Sequence, residues 1–270
     1  MASFGAGLVL LVGVGWYGFS SVDLDGRSVA AGPLVALAGM ALATLAIVAT
    51  EFRVLARVTD VDVDRRDALG VTVIGAVANL LPLPGSAITR FVVLQRAGAT
   101  SARITQALLG GAVLWLGIAG FAAAIGVLAA SAGAGFALGV GGLLAIGAGL
   151  LLLPRAGATR IDRLQLVAVE IGLTAIGIAR FVLAAAVIDL EAPVREVAAL
   201  AAAGPASAAV GLVPAGIGVR ESLAAGLGSL SGLGAATAAT IAVIDRAVGL
   251  AMLIPAYLVV NTRRGPLETP

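Results

Sequence analysis

The chain has no cysteine, no histidine and no lysine; all 17 of its basic residues are arginine. Without cysteine there is no disulfide framework, and without cysteine or histidine neither a conventional zinc site nor an imidazole general base can form. Charge is scarce as well: 12% of residues are ionised, about half the share of an ordinary soluble domain. Aromatic residues reach only 4%, so an interior of large rings is excluded. A net charge of +2, spread along the chain, gives no footprint for nucleic acid. What remains in abundance is small and apolar. Hydrophobic residues make up 60% of 270 positions, glycine accounts for 37, and mean hydropathy is +1.09. Such a chain belongs in lipid, with an interior of closely packed small residues.

A spanning helix needs about 20 apolar residues, and the hydrocarbon core admits only helices or closed barrels. Period-two alternation is absent, so the apolar runs are read as helices. Spans are expected at about 4–21, 33–50, 104–129, 136–153, 164–188 and 233–260. Two more apolar stretches, about 68–100 and 197–230, are interrupted. The first contains Leu81-Pro82-Leu83-Pro84-Gly85 and the second Val213-Pro214-Ala215-Gly216-Ile217-Gly218. Proline removes an amide donor, so Pro82, Pro84 and Pro214 are expected helix breaks.

The arginines discriminate between full crossings and hairpins that return to the side they came from. If both broken stretches are re-entrant and the N-terminus is cytoplasmic, 12 of the 17 arginines flank the cytoplasmic face. These are Arg53, Arg57, Arg65, Arg66, Arg90, Arg96, Arg103, Arg155, Arg160, Arg163, Arg263 and Arg264. Only Arg27 and Arg195 lie in outer loops, while Arg180, Arg220 and Arg246 fall within apolar stretches. Full crossing would move two arginine clusters outside, so re-entrance is the better reading.

An internal repeat follows. Span starts 4, 33 and 104 correspond to 136, 164 and 233, and Pro84 and Pro214 are 130 residues apart, each six residues before an arginine. The chain is thus one membrane domain, with repeat 1 at about 1–132, repeat 2 at about 133–262 and a short polar tail at 261–270. Three crossings per half is an odd number, so the second half is inverted. The expected fold is an all-α integral membrane protein: six transmembrane helices plus two oppositely inserted re-entrant helical hairpins in an inverted repeat. Transporters recurrently use this plan, with binding near the midplane. The first span lacks a basic leader and is expected to be retained. A multi-pass protein of the cell membrane with both termini cytoplasmic results.

The breaks suggest a site. Half-helices starting near Gly85 and Gly216, with Gly218 close by, would aim free amides and positive dipole ends into the membrane. Arg90 and Arg220 lie about 9 Å further along, and a guanidinium suits bidentate phosphate recognition. Two kinked helices with snorkelling arginines is the plainer alternative. Ionisable residues at membrane depth form a second group. Asp245 and Arg246 sit about 12 residues into a 28-residue span, Glu221 adjoins Arg220, and Glu170 and Arg180 share one helix. Such charges face partners or a wet cavity. Ten residues apart, Glu170 and Arg180 point in different directions and need partners elsewhere. Arg220 with Asp245, or Glu221 with Arg246, would neutralise the site, as a clamp or a working network.

Three further patterns carry no chemistry. Asp60 to Asp67 imitates a calcium loop, but Arg65 replaces the required glycine and Val71 the final glutamate. Gly13-x-Gly15-x-x-Gly18 spells a dinucleotide fingerprint inside a span, with no strand before it. Gly135-x-x-x-Gly139 and Gly141-x-x-x-Ala145-x-x-x-Gly149 are small-residue packing stripes. No metal or cofactor is expected.

Two of these motifs resemble those of a known family. Asn79-Leu80-Leu81-Pro82-Leu83-Pro84-Gly85, an arginine soon after and Ala97-Gly98-Ala99-Thr100 are similar to the first signature of the lysylphosphatidylglycerol synthase transmembrane-region (flippase-like domain) proteins. Val213-Pro214-Ala215-Gly216-Ile217-Gly218-Val219-Arg220-Glu221 resembles the second, usually Pro-Gly-Gly-x-Gly-x-x-Glu, and Asp245-Arg246 falls where the family carries an arginine in its last span. Ser86-Ala87 and Ala215 depart from the pattern. The resemblance implies a lipid-handling membrane domain without the soluble synthase. A translocase for an anionic or modified-headgroup (aminoacyl- or glyco-) lipid is therefore expected, not an enzyme, with membrane lipids as partners. A small-anion or solute transporter, or a scaffold presenting lipid to a lipid- or glycan-modifying enzyme, are the alternatives.

Overall fold

In the computed structural model, residues 29–80, 84–210 and 218–263 are described. The expected span at 4–21 and the residues Pro82, Pro214 and Gly216 lie outside them. Every described element is helical, and five helices are long and apolar enough to cross a membrane. They are α1 (Ala31–Val58), α4 (Ser101–Val127), α5 (Ala132–Ala156), α6 (Arg160–Val187) and α10 (Ala235–Arg263). These correspond to five of the six expected spans and fit a multi-pass membrane protein. Large apolar side chains lie open on their outer surfaces, among them Val35, Phe136, Leu144 and Leu151, each about 70% exposed.

Between the long helices lie two interrupted segments. α2 (Arg65–Ala78) and α3 (Gly85–Arg96) pack side by side across the first break. At about 21 and 18 Å, neither could cross a 30 Å core. In the second segment α7 (Val194–Ala198), a 3₁₀ turn (Ala199–Ala202) and α8 (Ala203–Val210) lead to α9 (Val219–Ser231), which packs back on them.

The ends of these segments are fixed by named contacts. Arg103, at the start of α4, donates from Nη2 to the Val58 carbonyl (2.9 Å) and from Nε to the Ala156 carbonyl (2.8 Å). The ends of α1 and α5 and the start of α4 therefore meet, and the α2–α3 pair leaves from and returns to this end of the bundle. The opposite end of α4 meets the second segment: a Cβ on Gly126 would strike the Ala199 amide and the Arg195 carbonyl at 2.5 and 2.8 Å, and one on Gly232 would touch Ala130. The two interrupted segments thus begin at opposite ends of the bundle. Antiparallel α1 and α6 are tied at both ends, by the Ala30 amide on the Val187 carbonyl (2.9 Å) and by Arg57 Nη2 on Gln165 Oε1 (2.5 Å).

Glycine sets the closest helix pair. On α5, Gly135, Gly142 and Gly149 recur every seven residues, two helical turns; Gly142 and Gly149 abut the α4 backbone, and Gly135 abuts Leu128 just past its end. A Cβ on Gly142 would sit 2.8 Å from the Phe121 amide, whereas one on Gly141 would meet nothing within 4 Å. Packing is the function of the stripe, as expected, but its spacing is seven residues rather than four.

Candidate functional site

Glu51, Glu170, Arg180, Asp245 and Arg246 all sit on long apolar helices, where hydrogen-bonded helical backbone carries them to depth at no cost in unpaired amides. Thr44 and Glu51 lie two turns apart on nearly the same face of α1, about 10 Å along it. Each anchors one cluster of charge.

At Glu51 the cluster is compact. Arg90 of α3 donates from Nη2 to Oε2 (3.0 Å) and from Nη1 to Oε1 (3.2 Å), a two-pronged ion pair buried on both sides. Its guanidinium also lies over the Phe52 ring, 5.6 Å from the centroid. Arg90 Nε is buried and has no acceptor among the described residues. Glu170 of α6, 1% exposed, lies near the Glu51–Arg90 pair. Neither of its carboxylate oxygens meets a donor among the described residues.

The second cluster is larger. Asp245 of α10 accepts from Arg180 Nε at Oδ1 (2.8 Å) and from Arg220 Nη2 at Oδ2 (2.6 Å). Arg180 reaches on to Thr44 Oγ1 (3.3 Å), and Arg246 Nε pairs with Glu221 Oε1 (2.6 Å). Arg220 stacks over Phe181 at 5.2 Å, and its Nε, too, is buried without an acceptor. Among the described residues, three guanidinium groups face two carboxylates here, one positive charge in excess.

The helix starts differ from the expectation of free amides. Pro84 stands just before α3, its carbonyl accepting from the Ile88 amide. Gly85 follows because α3 starts hard against α2: a Cβ there would be 2.3 Å from the carbonyl carbon of Ala78. The next amide, Ser86, already donates to Asn79 Oδ1 (2.7 Å). Gly218, with φ +79°, takes the left-handed turn into α9, and its amide donates to Glu221 Oε2 (2.8 Å). A protein carboxylate therefore occupies the start of α9.

The structure brings Arg180, Arg220, Glu221, Asp245 and Arg246 into one cluster, with both of the cross pairings considered from the sequence. Arg90 stands apart, with Glu170 close to its pair. Reading the sequence missed Glu51, Phe52, Phe181 and Thr44. A signal was present: Glu51-Phe52 and Arg180-Phe181 are 129 residues apart, close to the offset of about 130 expected from the sequence. An apolar groove of about 360 Å³ is lined by Val77 and Leu80 and by Leu250, Leu253, Ile254, Tyr257 and Leu258 of α10, its first residue one turn along that helix from Arg246. Compared with protein-family models and with curated proteins, the chain matches none, so its family resemblance rests on the motifs alone.

Proposed function

We propose that the protein is a lipid translocase moving an anionic or modified-headgroup lipid between leaflets, of the kind the flippase-like family resemblance implies. One observation carries this reading. Arg90 and Arg220, 130 residues apart, are each stacked on a phenylalanine, held by a carboxylate, and left with an Nε donor that meets no acceptor among the described residues. A buried donor without an acceptor is costly to keep, and a phosphate oxygen would satisfy it.

In this reading the two interrupted segments are re-entrant hairpins inserted from opposite leaflets of an inverted repeat. The arginine-rich end of the bundle is cytoplasmic, in the cell membrane. A phosphate displaces Asp245 from Arg220, and Arg180 keeps the freed carboxylate paired. Glu221 and Arg246 re-pair as access changes, and the headgroup passes to Arg90, where Glu51 yields in turn. At Arg220, exchange of one ion pair for another keeps the charge neutralised, which is what a low-dielectric path requires. The excess positive charge of the second cluster favours an anion, and the groove along α10, starting one turn from Arg246, would take an acyl chain.

The test is leaflet exchange of fluorescent phosphatidylglycerol in vesicles carrying the full chain. Arg220→Ala should slow exchange about tenfold or more, the worth of one charge-assisted hydrogen bond. Equal rates for the two proteins would remove the proposed role. Uptake of a water-soluble anion without lipid exchange would assign the same site to a small-anion transporter.

A further inference from the structure

We infer that Glu170 is a proton-carrying site that couples anion movement to a proton gradient; this rests on the translocase reading. Glu170 is 1% exposed, and both oxygens lack a donor among the described residues. One turn along the same face of α6, the Thr174 hydroxyl is likewise buried without a partner. From α1, Glu51 faces this site, and from α3, Arg90. Arg90, however, is committed to Glu51 through both Nη atoms. The middle of α4 brings no ionisable side chain between Ile104 and Val127. Asp245 and Arg246 of α10 meet α6 ten residues on, at Arg180, and Arg195 and Glu196 of α7 lie beyond the far end of α6. A buried carboxylate that meets no donor among the described residues, next to a closed ion pair, is stable only with a proton on it.

The two carboxylates and one arginine make a coupling device. With Arg90 on Glu51, the pair Glu51–Glu170 holds one proton, on Glu170. When a phosphate oxygen takes Arg90, Glu51 is left without a cation. Glu51 then takes the proton from Glu170: the Glu170 O–H bond breaks, an O–H bond forms on Glu51, and a hydronium ion on the open side re-protonates Glu170, leaving water behind. Return of Arg90 to Glu51 expels the Glu51 proton on the other side. One proton therefore accompanies each passage of the anion past Arg90.

Wild type and Glu170→Gln, as full chains in phosphatidylcholine vesicles with fluorescent phosphatidylglycerol, decide the matter. Infrared spectra at neutral pH should show a protonated-carboxyl C=O stretch in wild type that Glu170→Gln lacks. An imposed pH gradient should accelerate wild-type exchange several-fold in one direction and leave Glu170→Gln indifferent. Glu170→Asp keeps the acid and should keep the gradient response, which separates a lost proton site from a misfolded chain. Absence of the band in wild type, or a gradient response that survives in Glu170→Gln, would overturn the inference. If no protein exchanges lipid under any condition, the translocase reading fails by itself, and the band alone decides whether Glu170 holds a proton.

Discussion

Arg90 and Arg220, 130 residues apart, occupy matching settings, each over a phenylalanine and against a carboxylate from a long apolar helix. The match is geometric but not electrostatic. The residue preceding Phe52 is Glu51, while the one preceding Phe181 is Arg180. That reversal moves the balancing carboxylate of the second setting to Asp245 on α10, where it must serve two guanidinium groups.

Removing that carboxylate should therefore be severe. Asp245→Asn leaves Arg180 and Arg220 facing each other, and the expected loss is about 3–5 kcal/mol. Thermal unfolding in detergent should show it, and adding Arg180→Gln should restore part. A double variant no better than the single one would contradict the shared-carboxylate account.

Stacking in the two halves should be worth similar amounts. Phe52→Leu and Phe181→Leu keep an apolar side chain but lose the ring under the guanidinium, each costing about 0.5–2 kcal/mol. Unfolding midpoints of the two variants should fall together.

Gly85 is held by space alone. An added methyl would sit 2.3 Å from the Ala78 backbone, so Gly85→Ala should cost about 1–3 kcal/mol. Gly172, with nothing within 4 Å of its would-be Cβ, is the control. Gly172→Ala should be neutral or stabilise by up to about 1 kcal/mol through helix propensity. Circular dichroism melts of the two variants would separate these outcomes.

Arg103 closes the ends of α1 and α5 through their last carbonyls, a favourable place for a cation. Arg103→Ala should destabilise by about 2 kcal/mol. Its other partner, Asp60, is exposed, and Asp60→Asn should change the melting temperature little. Arg103 beside it, by hydrogen bond and by charge, holds the Asp60 carboxyl below its ordinary range. A depressed carboxylate stabilises above the unfolded-state value, so this small contribution is complete above about pH 5 and fades only as pH falls through the acid range. Melting curves of Asp60→Asn and wild type should therefore converge on acidification.

Length and hydropathy placed the five long helices to within a few residues, except that α1 runs eight residues past its expected end, to Val58. Its last two turns carry Glu51, Arg53 and Arg57, which pair with Arg90, the Val63 carbonyl and Gln165, so the helix persists where its apolar run stops. The breaks were legible because proline acts locally on its own backbone. Pro84 ends up outside α3 for that reason. The small-residue stripe on α5 was legible as packing but not in its register, which depends on how α4 approaches.

Sequence alone determined the helical, membrane-suited character of this chain, the two interruptions and the residues that carry charge at depth, because each follows from short-range chemistry along one strand of backbone. Tertiary structure decided which charges meet. Glu51 reaches Arg90 across 39 positions and Arg180 reaches Asp245 across 65, and ion pairing depends on distance in space, which only the packing of α1, α3, α6, α9 and α10 sets. The same packing leaves Glu170 without a donor among the described residues, a condition that no pattern along the chain could reveal.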